Sequence, residues 1–530
     1  MISTADIAAP GSNVVARMPA AGESRRPDSG EGTSHRQILK SSAIVGGSTV
    51  ITIVFGIVRT KIMAVLLGPA GIGLSGVLDS VIQFARTVAG LGIDSSGVRQ
   101  IAEAKGSEDQ RKVSVTLLCV RRACVFLGIA GSLVLYLLRY RVSEWSFGNS
   151  THGAAIGWLS LGVGFCVVSA GQSAALQGLR KIWEYVMIKV VGAVCALVFG
   201  IPIIFFWRQS GIVAYLLVTY ISMLSISWWY ARKIELLRRK ISWREQAEQF
   251  RSLAKWGGVF LASASITTFV IYASRALISR HMGLEATGQY QAALALSSIY
   301  VGFILSAMGT DFYPMLTANA NDNSVCNRLV NEQASISLLL GIPGILATLV
   351  FAELIVTILY SGKFFQAATI LYWQMPGVLL RVAIWPLGIA LAAKGRSKYF
   401  LVNDIVNGAV QIMLLEILTN SKYLTLVGLA STVAYFVSLP LVTIMLARSS
   451  DFRWASFNSR LIAFGLAAVL TGMAGGFLLR GLTRIAVGFV LVAGISSYCV
   501  HKIARLTGHS GAYSLARDVV NRLKRRRDGL

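Results

Sequence analysis

Apolar positions fall in long continuous blocks. From Ile38 almost to the C-terminus, runs of about twenty or more apolar residues are separated by short polar connections. A helix needs about 20 such residues to cross the hydrocarbon core. Unbroken runs also argue against a β-barrel, whose strands alternate. Length alone gives about fourteen spans, at 38–58, 74–102, 113–138, 153–177, 185–207, 211–230, 253–278, 288–316, 332–359, 367–392, 399–418, 423–447, 459–479 and 484–503. The pattern predicts an all-α polytopic membrane protein.

The second run is the least uniform. Read as one helix from Leu74 to Ala102, it carries Asp79, Gln83, Arg86 and Asp94. At 100° per residue these four fall within about 80° of one another. Hydrocarbon does not tolerate such a face, so it should look into protein or a water-filled cavity.

Composition agrees with the class. Mean hydropathy is +0.63 and 14% of residues are charged. The six cysteines (Cys119, Cys124, Cys166, Cys195, Cys326, Cys499) are scattered without metal spacing and read as small apolar fillers. A net charge of +26 in a soluble protein would suggest nucleic acid. Here the cations crowd short loops and the tail, a pattern of topology signals and anionic-lipid contact, so no nucleic-acid partner is expected. The connections after spans two, four, six, ten and twelve are cation-rich and the alternate ones poorer, which predicts cytoplasmic termini. Arg59 and Lys61 are the exception, two cations on the outward side of the first span.

The expected organisation is a disordered cytoplasmic tail (1–36), a first lobe of six spans (37–230), a basic cytoplasmic linker (231–252), a second lobe of six spans (253–447), two further spans (448–503) and a basic cytoplasmic tail (504–530). No signal peptide is visible. The two lobes begin alike. Arg59, Leu67-Gly68 and Gly73 are matched by Arg275, Met282-Gly283 and Gly288. Six spans between the copies give them one orientation, which is the parallel repeat of a transporter. The glycines also suit plain loop and helix-start punctuation.

Charges at membrane depth are costly and mark function by default. The candidates for an anion-binding cavity are Arg59, Lys61, Arg86, Arg275 and Arg381, because a guanidinium forks onto two phosphate oxygens and stays charged. Arg381 lies in a span with Pro376 and Pro386, where irregular backbone suits a cavity wall. Asp79, Asp94, Asp311 and Gln83 are the candidates for a charge network or an ion-coupling site. The competing arrangement pairs Arg86 with Asp79 or Asp94 and lets Arg59 and Lys61 snorkel to the interface, as Lys189 is expected to do. Glu353 and Asp404 read as residues near the interface. There is no phosphate loop, no metal-ligand motif and no histidine cluster, so no enzymatic site and no cofactor are expected.

The segment Ile38-Leu39-Lys40-Ser41-Ser42-Ala43, then Gly46-Gly47-Ser48, Gly56-Ile57-Val58-Arg59-Thr60-Lys61 and Leu66-Leu67-Gly68-Pro69-Ala70-Gly71-Ile72-Gly73-Leu74, resembles the O-antigen translocase (Wzx) family of polysaccharide flippases in the MOP superfamily. The resemblance implies a MATE-like fold of two six-helix lobes around a central cavity that opens to either side in turn, plus two C-terminal helices. It also implies an undecaprenyl-pyrophosphate-linked glycan as substrate, moved to the periplasmic leaflet of the bacterial inner membrane. H+ or Na+ would be the coupling ion, and a polysaccharide polymerase and chain-length regulator the partners. Gly56-Ile57-Val58-Arg59 is similar to the first-span Gly-x-x-Arg of the lipid II flippases, where that Arg faces the cavity. A cation-coupled MATE-like drug exporter would favour acidic cavity residues. A polysaccharide polymerase would carry a large periplasmic loop, and a membrane scaffold without transport is the third alternative.

Overall fold

The computed structural model describes residues 29–107, 109–234, 243–479 and 481–506, and no strand occurs among them. The expected N-terminal and C-terminal tails fall largely outside these residues, as do residues 235–242 of the expected basic linker. Eleven helical stretches among the described residues are long and apolar enough to cross a bilayer. Three of them, Gly46–Ala89, Ile182–Ala231 and Leu261–Gly302, hold 44, 50 and 42 residues. At a rise of 1.5 Å per residue each is about twice the ~30 Å hydrocarbon core. Each is broken near its middle, at Gly68 (φ 66°), Arg208 (φ 49°) and Gly283 (φ 85°). Counting these three twice gives fourteen crossings, so the expected fold class holds.

The first lobe comprises α1 (Ser29–Ala89), α2 (Ile93–Gly106), α3 (Gln110–Phe147), α4 (Gly153–Gly178), α5 (Ile182–Val198), α6 (Gly200–Trp207) and α7 (Ile212–Ala231). The second comprises α8 (Trp243–Ala318), α9 (Asn323–Val350), α10 (Ala352–Leu359), α11 (Phe365–Ala393), α12 (Ser397–Asn420) and α13 (Val427–Ser450). Two last helices, α14 (Ser456–Leu478) and α15 (Gly481–Leu506), pack against α9. The kinks at Gly68 and Gly283 mark one face of the molecule, called here the kink side. The opposite face, where α3 and α9 begin, is the tail side.

Two sequence expectations change. The first span does not stop at Val58. Ile62–Leu67 prolongs the helix to the Gly68-Pro69 break, so Arg59 lies about 13 Å inside the kink face and not outside it. The second span does not run to Ala102. Leu91 (φ 47°) and Gly92 (φ 67°) end it at Ala89 and start α2. Asp79, Gln83 and Arg86 therefore share a helix, while Asp94 belongs to α2, and its side chain lies outside the described residues.

The repeat is visible in the packing. A Cβ at Gly73 would stand 2.0 Å from the Leu284 carbonyl oxygen, and one at Gly288 would stand 1.9 Å from the Pro69 carbonyl oxygen. Each glycine, one turn past its own kink, thus admits the backbone of the residue just after the partner's kink, and the relation is reciprocal. The same symmetry recurs at the tail side. Asp109 Oδ1 accepts from the Arg111 and Lys112 amides (2.8 and 3.2 Å) to cap α3, and Asp322 Oδ1 accepts from those of Ser324 and Val325 (2.9 and 3.1 Å) to cap α9. Hydrogen bonds from the Ser324 hydroxyl and the Val325 amide hold the Asp322 carboxyl below the usual carboxylate range.

Helix α11 is the most deeply buried crossing. Pro376 loosens it, and the Thr432 hydroxyl of α13 enters the gap, donating to the Trp373 carbonyl (2.5 Å) and accepting from the Gly377 amide (3.1 Å). Protein fills this irregular stretch, one of the two ways in which membrane interiors tolerate it. Arg484 of α15, with no sequence signal to single it out, donates to Glu353 (2.5 Å) and to the Tyr372 hydroxyl. This pair ties α15 to the second lobe. Arg484→Ala should cost about 1–3 kcal/mol, read as a lower thermal unfolding midpoint in detergent, with Arg484→Lys falling between.

Candidate functional site

Three charged groups from three helical crossings meet at mid-membrane. Counting from the kinks at 1.5 Å per residue, Arg59, Asp79 and Arg275 lie about 12–17 Å deep, near the middle of a ~30 Å core. Arg59 and Asp79 both act on the Tyr215 hydroxyl electrostatically, which requires α1 to fold back at Gly68. Asp79 accepts from the Tyr220 hydroxyl at 2.6 Å and from Gln83 Nε2 at 3.5 Å. Its field also reaches Arg275.

Arg275 crosses between the lobes. It is 8% exposed and its Nη1 donates to the Gly76 carbonyl at 3.0 Å, one turn before Asp79. Its Nε is buried without a partner. Beside it, Tyr272 stacks on Phe84, meets Trp145 edge-on and hydrogen-bonds the Ser146 hydroxyl at 2.8 Å. Lys61 Nζ donates across to the Thr357 carbonyl at 2.9 Å. With the reciprocal glycine contact, these bonds shut the kink-side half of the lobe interface.

The tail-side half is hollow. Arg86 lies about 27 Å from Gly68 along the helix, and it lines two chambers. One, of about 260 Å³, lies between the lobes, with Thr87, Ser95 and Ala170 facing Leu261, Ala264 and Thr268 of α8. The other, of about 600 Å³, lies inside the first lobe, among Gln83, Ser169, Ser173, Tyr185, Lys189 and Tyr220. The Arg86 guanidinium thus lies where the two chambers meet. Lys189, expected to snorkel to the interface, is exposed and also lines this wall.

The remaining candidates stand apart from this site. Arg381 is half-buried on α11, with no hydrogen-bond or ion-pair partner among the described residues, and Asp311 is exposed on α8. Asp404 accepts from Ser263 between α12 and α8. No metal-binding group occurs among the described residues.

Two six-crossing lobes, shut at one face and hollow toward the other around a buried charged cluster, make a polytopic membrane protein with the layout on which alternating-access transport rests. A family model described as "Polysaccharide biosynthesis protein" matches residues 62–369, and the chain belongs to that family. The lipid III flippase of Escherichia coli (strain K12) is 21% identical over 388 residues, covering 69% of this chain and 88% of that one. The lipid II flippase MurJ in an inward closed conformation superposes with a TM-score of 0.66 at 14% identity, over 87% of this chain and 99% of that one. An inward-facing multidrug resistance MATE family transporter of the MOP superfamily gives 0.61 at 14% identity, over 76% of this chain and 96% of that one. The chain shares the fold of these membrane transporters.

Proposed function

We propose that this protein flips an undecaprenyl-pyrophosphate-linked oligosaccharide, an O-antigen or related surface-polysaccharide repeat unit, from the cytoplasmic to the periplasmic leaflet of a bacterial inner membrane. In this reading the tail side is the cytoplasmic side, which the cation-rich loops favour. A lipid-linked glycan has a tail that stays in lipid, and sugars and phosphates that cannot. It needs a hydrated cationic path between lobes that rock about their contact. The observation that carries the reading is Arg86, at the junction of two chambers behind a closed kink-side interface. The diphosphate binds at Arg86 first. Arg59 and Arg275, at mid-depth, receive it when the kink side opens. Asp79 balances their charge and exchanges with H+ or Na+ during the cycle. The polymerase and chain-length regulator of the same pathway are its partners.

In cells lacking the protein, lipid-linked saccharide should accumulate on the cytoplasmic leaflet while drug susceptibility stays unchanged. Altered drug susceptibility without accumulation would point instead to a drug exporter. Asp79→Asn keeps an acceptor for Tyr220 but loses the charge. Flux in proteoliposomes should then no longer depend on an imposed H+ or Na+ gradient, and retained gradient dependence would remove Asp79 from coupling.

A further inference from the structure

The chamber inside the first lobe is walled by helices of that lobe alone, so rocking of the lobes does not by itself form it. Its wall joins α1, α2, α4, α5 and α7. At about 600 Å³ it is in the range of sites for small organic ligands. Two cations line it, Arg86 and Lys189, and the nearest carboxylate, Asp79, stands behind the wall, accepting from the lining residues Tyr220 and Gln83. The Lys189 ammonium sits 4.7 Å from the centroid of the Tyr185 ring, one turn earlier on α5. That contact steers a flexible cation along the wall. The Ser173 hydroxyl and Gln177 supply neutral hydrogen-bonding groups of the kind a sugar meets, and the Ser169 hydroxyl, which donates to the Met223 carbonyl at 3.3 Å, adds an acceptor. Arg86 also lines the groove between the lobes.

We infer that this chamber is a sugar-phosphate subsite, in which Lys189 and Arg86 take the phosphates while Tyr185 and the serine hydroxyls take the adjoining sugar. The assignment rests on the flippase reading and deepens it. Arg86 is the doorway, its planar fork engaging a phosphate arriving from the groove. Lys189 is a compact charge at the far wall that draws the head group inward. The phosphate-linked sugar is thereby held inside one lobe, clear of the interface, while the lobes move. Sugars further along the chain stay in the groove, so selectivity for the repeat unit would concentrate on the first sugar.

Cys166 gives a direct readout, because it is the one cysteine among the described lining residues. The full-length chain with its other five cysteines replaced is placed in nanodiscs and treated with an anionic or a cationic methanethiosulfonate reagent. Thiol reactivity cancels in the ratio of the two rates, leaving the local potential. The anionic reagent should react faster, and Lys189→Gln should lower the ratio by about threefold to tenfold, with Lys189→Arg restoring it. Farnesyl diphosphate and its N-acetylglucosamine diester serve as probes. Both should protect Cys166, the diester more strongly, and Lys189→Gln should weaken protection by about tenfold. A ratio unchanged by Lys189→Gln, or equal protection in the two proteins, overturns the subsite. Protection by the bare diphosphate equal to that by the diester overturns the sugar assignment. None of these outcomes depends on export, so the flippase reading is tested separately by leaflet accumulation.

Discussion

Gly288→Ala should stop transport by holding the kink side apart. The new Cβ would meet the Pro69 carbonyl oxygen at 1.9 Å, and the atoms it meets are backbone, with no side chain able to swing away. An ordinary C···O contact of about 3.3 Å requires the two kinks to separate by more than an ångström. The closed kink side also holds the Arg275 bond to Gly76, the Ser146–Tyr272 hydrogen bond and the Lys61 bond to Thr357. These depend on the same approach, and about 3 kcal/mol of lost closure is roughly a hundredfold shift in population. Export should fall at least tenfold. Spin labels at Ser150 and Lys363 should report a longer distance across the kink side. Gly73→Ala should act alike, since its Cβ would stand 2.0 Å from Leu284 O. Gly56→Ala, with nothing within 4 Å, should leave export unchanged. Normal export by Gly288→Ala with an unaltered distance would mean that this contact is not part of the cycle.

Arg86→Glu should abolish export more completely than any other single side-chain change at the site. The substitution reverses the charge at the junction of the two chambers, where a carboxylate repels a diphosphate instead of chelating it. Coulomb energy near a protein surface is about 4 kcal/mol for a charge pair at 4 Å, so reversal reaches several kcal/mol for a close phosphate. Lipid-linked saccharide should accumulate to the level of cells lacking the protein, with membrane insertion intact. Arg86→Lys should retain partial function, because it keeps the charge and loses the fork. Full complementation by Arg86→Glu would remove Arg86 from the substrate path.

The helical class, the number of crossings and the two-lobe repeat were legible in the sequence. They rest on long apolar runs and on the matching Leu67-Gly68 and Met282-Gly283 breaks. The depth of Arg59 was not legible. A pair of cations beside an apolar run reads as its end, and only Ile62–Leu67 continuing the same helix shows otherwise. Asp94 was grouped with Asp79 because periodicity carries through the Gly90-Leu91-Gly92 turn on paper, whereas positive φ at Leu91 and Gly92 breaks the helix in space. Arg86 and Gln83 do share a chamber wall. Tyr220 and Arg484 escaped notice for one reason. Each acquires its role from residues far away in the chain, as when Tyr220 finds Asp79 at a separation of 141 positions. A lone tyrosine or arginine in an apolar run carries no periodic mark of such a partner.

A cryo-electron-microscopy structure of the full chain with a short-chain polyprenyl-diphosphate saccharide tests the central claim most directly. The account predicts diphosphate oxygens about 2.7–2.9 Å from the Arg86 guanidinium, with the saccharide inside the tail-side hollow and the polyprenyl tail in lipid. Arg86 packed against acyl chains, or a diphosphate bound on the outer surface with both chambers bare, would contradict it.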